Sequence, residues 1–456
     1  MDKHDRDEMV AKQKAVNLHQ YLMTRRRFLR NAAVTMGSVA CAPFLSGVHN
    51  AFAKPGKPLT FVGWQYHPEI VEENVGIFRK LYDEEVSYEL VPGEYHSVAE
   101  TKLIGGQHID MLYSEEDHIM RWLKAGWARP IEDLSGIPEI KKGMYDVNVN
   151  NMSLPDGRLM GLPYYTGFNS FVYNDLHMQK AGLKPPQSWE ELIEQCRELK
   201  AKKISEYPYI SAWAREWPSL SWSLFAVWYS EGEPVFDKDF NPTFKDGGGA
   251  FKKVLEMHKQ MYDEKLVRPD IMTMKIEGVP DFSTGQHTFM VVHDYDQKVF
   301  NDPEQSQLAG HCKNAMMPGK THSTFIWTAV YLMGAKPVDV ERAWNLMQFF
   351  GGKAKDGQYH VAKKWALNFG LGTPHKEVIN DPEVQADFKK WKDTEIANKQ
   401  HEIATTRDVA KTMWFPEWDW YMMGQVHDYI RGKNTIKECI DSLYKKAVEM
   451  KKLYPA

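Results

Sequence analysis

A chain of 456 residues with 43% apolar side chains can bury a large core, and its length suggests two or three domains. The net charge of −4 argues against a nucleic-acid partner, whose phosphates select a strongly basic face. Cys41, Cys196, Cys312 and Cys439 lie far apart without C-x-x-C spacing, so neither a disulfide framework nor a structural zinc site is encoded.

Residues 1–53 read as an export leader. Thr24-Arg25-Arg26-Arg27-Phe28-Leu29-Arg30 matches the twin-arginine pattern S/T-R-R-x-F-L-K, with Arg at its last position. The apolar run 32–48 is interrupted by Pro43, Ser46 and Gly47 and is too short to span a membrane. Ala51-Phe52-Ala53 forms a small-x-small cleavage site before Lys54. Lipoprotein processing at Cys41 is a rival, although its box lacks the usual Leu, and a basic cytosolic arm is the remaining alternative. Export through the twin-arginine machinery places a folded mature chain in the periplasm. No later stretch reaches 18 apolar residues, which predicts a soluble protein with three cysteines and at most one disulfide.

Residues 59–63 form a buried-strand pattern that runs into Trp64-Gln65-Tyr66-His67-Pro68. Helical periodicity over 70–81 is followed by a strand at 86–91, then Tyr95, a helix over 97–105 and a strand at 109–114. This alternation implies right-handed βαβ crossovers and a mostly parallel sheet, whose ligands sit at the carboxyl ends of the strands. The loop 64–66, Tyr95 and residues 113–117 then share one rim. Ser114 and Asp117 are equally good helix N-caps. Glu115-Glu116-Asp117-His118 reads as a solvated helix start, since four consecutive residues cannot all face one metal ion.

The stretch 162–192 organises the rest of the chain. Pro163-Tyr164-Tyr165-Thr166-Gly167 precedes a strand at 168–173, and Leu176, Met178 and Ala181 suggest a short helix stopped by Gly182. Pro185-Pro186 sets an extended link, and Ser188 with Glu191 forms a capping box for a helix over 189–200. This order, together with GQHIDMLYSEEDHIMRWLKAGWARPIEDL at 106–134, resembles the family-1, maltose-binding-protein-like group of bacterial extracellular solute-binding proteins.

The resemblance continues to the C-terminus. It includes a strand at 209–213 ending in Trp213, then Trp217; a segment 282–292 similar to an F-x-x-G-x-x-A-M strand; and His293-Asp294-Tyr295 beyond it. The strand 323–334 carries Trp327 where relatives have small residues. It is followed by a helix over 338–350, the turn Leu371-Gly372-Thr373-Pro374, and an "aromatic, helix, G-x-x-T, helix" ending after Trp414 and Trp420. Trp222, Phe225 and Trp228 lie at helical spacing and read as core.

The resemblance implies an α/β, two-lobed periplasmic-binding-protein fold, each lobe a mostly parallel sheet flanked by helices, with a ligand cleft between them. Residues 54–162 would begin lobe 1, 163–322 lobe 2, 323–372 would return to lobe 1, and 373–456 would add helices mainly to lobe 2. A monomer without cofactor or metal would deliver a sugar, sugar alcohol or oligosaccharide to the permease of an ABC importer. Its contacts would come from Trp64, Gln65, Tyr66, Tyr95, Tyr113, Ser114, Asp117, Tyr165, Trp213, Trp217, Tyr295, Trp327, Trp414 and Trp420. Aromatics cage quaternary amines as readily as they stack on sugars, so such a solute is the alternative. An exported enzyme is a third reading, against which stands the absence of G-x-S-x-G, H-E-x-x-H and G-x-G-x-x-G motifs. Gly319-Lys320-Thr321 lacks the first glycine of a P-loop and reads as an ordinary loop.

Overall fold

The computed structural model describes residues 56–454 apart from 94, 216–218, 246–248 and 276–277. The leader with its Cys41 and Ala53 processing sites, and Trp217, lie outside the described residues. Ten strands follow in chain order: β1 (Leu59–Trp64), β2 (Val86–Val91), β3 (Met111–Ser114), β4 (Ala128–Arg129), β5 (Leu162–Asn174), β6 (Tyr209–Ser211), β7 (Phe289–His293), β8 (Cys312–Ala315), β9 (Phe325–Gly334) and β10 (Thr405–Thr406). Their main path is β2-β1-β3-β9-β5-β7-β6, with β4 and β10 on β9 and β8 on β5. The outer pairs of each half are parallel, β1 with β2 and β3, and β6 with β7. Antiparallel pairings of β9 with β3 and β5, and of β5 with β7, join the halves.

β5 belongs to both halves. Its residues 162–168 pair with β9 and residues 169–173 with β7. Only 168–173 carries a sequence strand pattern, yet the polar-aromatic run before it is extended too, because β9 supplies its ladder. Pro163 has no N–H to donate, and the register shifts between Pro163 and Tyr165. All ten residues of β9 are buried, and the helices Val340–Gly351 and Asp146–Asn151 pack on it. That accounts for its unbroken apolar sequence.

Local signals act as their chemistry directs. The Asn174 side chain accepts from the backbone N–H of Leu176 and His177 to start the helix Asp175–Ala181, which ends on Gly182 at φ 74°. Ser188 caps Trp189–Ala201 by accepting from Glu191 N at 3.2 Å. The return arm of the expected capping box lands one residue upstream, where Gln187 N donates to Glu191 Oε2 at 2.7 Å. The segment 282–292 is not one strand: a helix, Val279–Ser283, comes first, Gly285 turns the chain at φ 74°, and β7 starts at Phe289. Thr435 and Glu438 complete a reciprocal capping box on the last helix, Ile436–Leu453. Cys196, Cys312 and Cys439 are buried free thiols. Among the described residues no helix is long and apolar enough to cross a membrane.

A polar clasp lies where the chain passes between the halves. Asn148 Nδ2 donates to Thr166 Oγ1 at 2.7 Å and Thr328 Oγ1 at 3.2 Å, Thr166 Oγ1 donates to the Trp327 carbonyl at 2.7 Å, and His401 Nε2 lies 3.0 Å from Asn148 Oδ1. Asn148→Ala leaves buried polar atoms unpaired and is expected to lower stability by about 1–3 kcal/mol, read as a lower urea midpoint at unchanged m-value.

Candidate ligand cleft

The carboxyl ends of β1 and β3 present a ladder of rings. Trp64 stacks on Tyr66 (centroids 5.4 Å, 19°) and on Tyr113 (5.3 Å, 5°). Tyr95 meets Tyr113 edge-on and donates its hydroxyl proton to the Tyr113 carbonyl at 2.8 Å, bracing the end of β3. From β5, Tyr164 packs edge-on to Tyr113 at 5.4 Å and to Tyr165 at 5.3 Å. Tyr165 reaches Tyr295, just beyond β7, at 6.2 Å, and Tyr295 shares a 2.7 Å hydrogen bond with His293 Nδ1. Gln65 is exposed at the lip. The rings therefore run from one half of the sheet, over the shared strand, into the other.

Trp327 is buried against β5. Its ring lies 2.6 Å from where a Cβ on Gly167 would be, so only glycine admits it there. It packs on Trp222 at 4.2 Å and His293 at 4.9 Å. Trp222, read as core on helical spacing, is buried there and packs on Trp327.

Three nominated tryptophans stand elsewhere. β6 ends at Ser211, and Trp213 turns inward: it is 0% exposed, packs on His258 at 4.8 Å, and its carbonyl accepts from His427 Nε2. Trp414 is buried edge-on to Phe236 at 5.5 Å. Trp420 is half exposed, with the Arg215 guanidinium 4.7 Å over its ring.

The acidic run after β3 is not solvated. Glu115, Glu116 and Asp117 are 8, 3 and 6% exposed and fan out to separate partners. Glu115 accepts from the Tyr113 hydroxyl. Glu116 accepts from Arg407 Nη2 at 2.8 Å, Arg407 Nε at 3.1 Å and Asn151 Nδ2 at 2.8 Å. Asp117 pairs with His118 Nδ1 at 2.9 Å, and His118 stacks on His96 at 3.8 Å. Neither Ser114 nor Asp117 caps the helix Glu116–Lys124; its N-cap is Glu115, with no side-chain bond to the backbone. Ser114 is buried, its hydroxyl 3.4 Å from the Glu115 carbonyl. Among the described residues no three His, Cys, Asp or Glu side chains are grouped to hold a metal ion.

Arg407 was not legible in the sequence, because 291 positions separate it from Glu116. It is 0% exposed, framed by Phe325, Phe415, Phe225 and Trp222 at 5.1–5.9 Å, and it donates to Ser221 Oγ at 3.4 Å. Ser221 donates in turn to Asp419, whose carboxyl burial pushes up to about 6 against the pull of Arg407.

Burial also shifts the acids facing the rings. It raises Glu115 to about 8, helped by the Asp117 charge, and raises Asp296 well above the carboxylate range, helped by Asp294. Tyr66 rises to about 12, first from burial and then from Asp296, which ties the two halves electrostatically. Glu115 Oε2 and Asp296 Oδ2 are buried without hydrogen-bond partners, and His293 Nδ1 lies 3.8 Å from the latter. Asp294 is paired with Lys392 at 3.4 Å.

A separate cavity of about 590 Å³ lies among Leu154, Tyr229, Phe236, Thr406 and Lys411. Lys411, on its wall, is already engaged: its Nζ reaches the Asn150 carbonyl at 2.6 Å and Asp408 at 2.9 Å. The ring ladder, where acid oxygens lack partners, is therefore the stronger candidate.

The pattern described as bacterial extracellular solute-binding protein matches residues 65–354. A binding protein of Brucella abortus (strain 2308) is 22% identical over 251 residues, 55% of this chain and 60% of that one, so the chain spans under two thirds of that relative. The maltose-bound MalE3 of T. maritima superposes with a TM-score of 0.73 at 18% identity, covering 86% of this chain and 99% of that one. A ribitol complex of an ABC transporter solute-binding protein from Agrobacterium radiobacter K84 gives 0.72 at 17% identity, covering 87% and 100%.

Arg407→Met strands Glu116 in a buried site and is expected to cost about 3–5 kcal/mol by urea denaturation, most of it recovered when Glu116→Leu is added. Glu115 is raised from 4.5 to about 8, so its contribution to stability is complete below pH 4.5 and is lost as pH rises through about 8. Wild type should unfold at lower urea at pH 8.5 than at pH 5, and Glu115→Gln should shrink that difference.

Proposed function

Since this chain belongs to the bacterial extracellular solute-binding protein family, we propose that it captures a carbohydrate-type solute between two lobes and delivers it to the transmembrane subunits of an ABC importer. The observation that carries this reading is the ring ladder spanning both halves with unpartnered acid oxygens beside it. Sugars and polyols offer apolar faces for such rings and hydroxyl groups for such oxygens. Relatives of the same fold hold maltose and ribitol. Contacts from both halves favour the closed form, so binding and closure are one equilibrium.

In this reading the twin-arginine leader exports the folded chain to the periplasm, where it works as a monomer and binds without turnover. Residues 54–162 and 323–372 form lobe 1; residues 163–322 and most of the C-terminal helices form lobe 2.

A thermal-shift screen of the chain from Lys54 against sugars, polyols and amines tests it. A ligand at 100 times its Kd adds about 2.7 kcal/mol, enough to raise Tm by a few degrees. Tyr66→Ala should weaken the hit by about 2 kcal/mol or more, as for a buried aromatic anchor, while Trp420→Ala leaves it unchanged. Catalytic turnover of the hit compound, or equal loss in both variants, would remove the reading.

A further inference from the structure

We propose that the cavity of about 590 Å³ near Lys411 is a second ligand site, separate from the ring ladder, that takes an uncharged oligosaccharide of two or more rings. Its walls come from three parts of the chain. Residues 149–157 lie between β4 and β5, residues 229–240 follow β6 in the other half, and residues 405–411 begin at β10, which pairs with β9. No ring of the ladder lines it. Thr406 and Asp408 on its wall flank Arg407, which is 0% exposed and turned to Glu116 instead. Its volume lies within the range of roughly 300–1,000 Å³ common for small-molecule sites.

Tyr229 is the wall group that asks for a ligand. It is 8% exposed, and among the described residues its hydroxyl makes no hydrogen bond. Burial raises the phenol above its ordinary value, so it stays protonated and can donate. The Asn150 amide and the Thr406 hydroxyl, on the same wall, are likewise unused among the described residues. These three groups both donate and accept, as sugar hydroxyls do. Leu154, Phe236 and Phe240 supply the apolar surface on which the C–H faces of sugar rings pack.

Charge selects against an ionic ligand. The charged wall residues cancel, Asp237 and Asp408 against Lys238 and Lys411. Both acids are engaged already, Asp408 by Lys411 at 2.9 Å and Asp237 by Asn241 Nδ2 at 2.9 Å. Length follows from a second hollow of about 290 Å³, which shares Pro155, Phe240 and Lys411 with the first and runs on past Met413 to Tyr454. A single sugar ring would leave most of this joined space unfilled, whereas a chain of rings can follow it.

The test is backbone hydrogen exchange read by mass spectrometry, in wild type and in Tyr66→Ala, which weakens the ring ladder. The probes are glucose, maltose, cellobiose and maltotriose at up to about 100 mM, enough to reveal sites weaker than millimolar. At least one di- or trisaccharide should slow exchange across 149–157, 229–240 and 405–411 in both proteins, at lower concentration than glucose does. Tyr229→Phe, which removes one oxygen, should raise the concentration needed by about threefold or more. Asn150→Trp, a bulky change at an exposed wall position, should raise it at least tenfold; melting curves confirm that both variants fold. Protection confined to the strand ends around 64–66 and 113–117, or lost from the cavity segments in Tyr66→Ala, overturns the second site and leaves the ring-ladder reading standing. Equal protection by glucose overturns the oligosaccharide assignment. Cavity protection unchanged in both wall variants, or absent with every probe, overturns the site itself.

Discussion

Every feature of this protein depends on β5 being one strand in two sheets. Its first residues pair with β9 and its last with β7 and β8, so a single run of backbone hydrogen bonds carries the chain from one half to the other. The side chains of its first half then fall at the junction of the two halves. Tyr164 and Tyr165 touch rings from each side, and Thr166 enters the clasp around Asn148. A short, separately paired connection would leave those groups in solvent. Here the backbone is satisfied by its neighbours, which allows 12 of 13 positions to be buried.

Buried charge is arranged with the same economy. Arg407 lies under the junction with Glu116 on one side and Ser221 and Asp419 on the other, and four aromatic rings frame its cation. Lys392 and Asp294 form a second buried pair. Pairing removes most of the cost of burying these ions. Glu115 and Asp296, beside the ring ladder, each keep one buried oxygen without a hydrogen-bond partner. In the separate cavity near Lys411, by contrast, the ammonium group is already engaged by the Asn150 carbonyl and Asp408.

Much of the architecture was legible from local pattern. β2 at 86–91 and the helix after Ser188 follow directly from periodicity and capping chemistry. The strand ends that carry Trp64, Tyr66 and Tyr113 follow from the alternation of strands and helices, which places ligands at carboxyl ends, while Tyr295 was implied only by the family resemblance. Failures came where a residue's direction depends on partners distant in sequence. Trp213, expected at the cleft, lies inward because β6 ends two residues before it, whereas Trp222 is buried as its helical spacing implies. The acidic run looked solvated because Arg407, which neutralises Glu116, lies 291 residues away.

The sequence by itself determined the family, the strand and helix order, most caps and the aromatic richness of the rim, since each is written in residue types a few positions apart. Only the tertiary structure decided which aromatics pack together, which carboxylates are paired and which acid oxygens remain without donors. Those properties arise from contacts across the junction of the halves. There, the direction of one side chain depends on the strand beside it, and the charge state of one acid depends on a cation from another part of the chain.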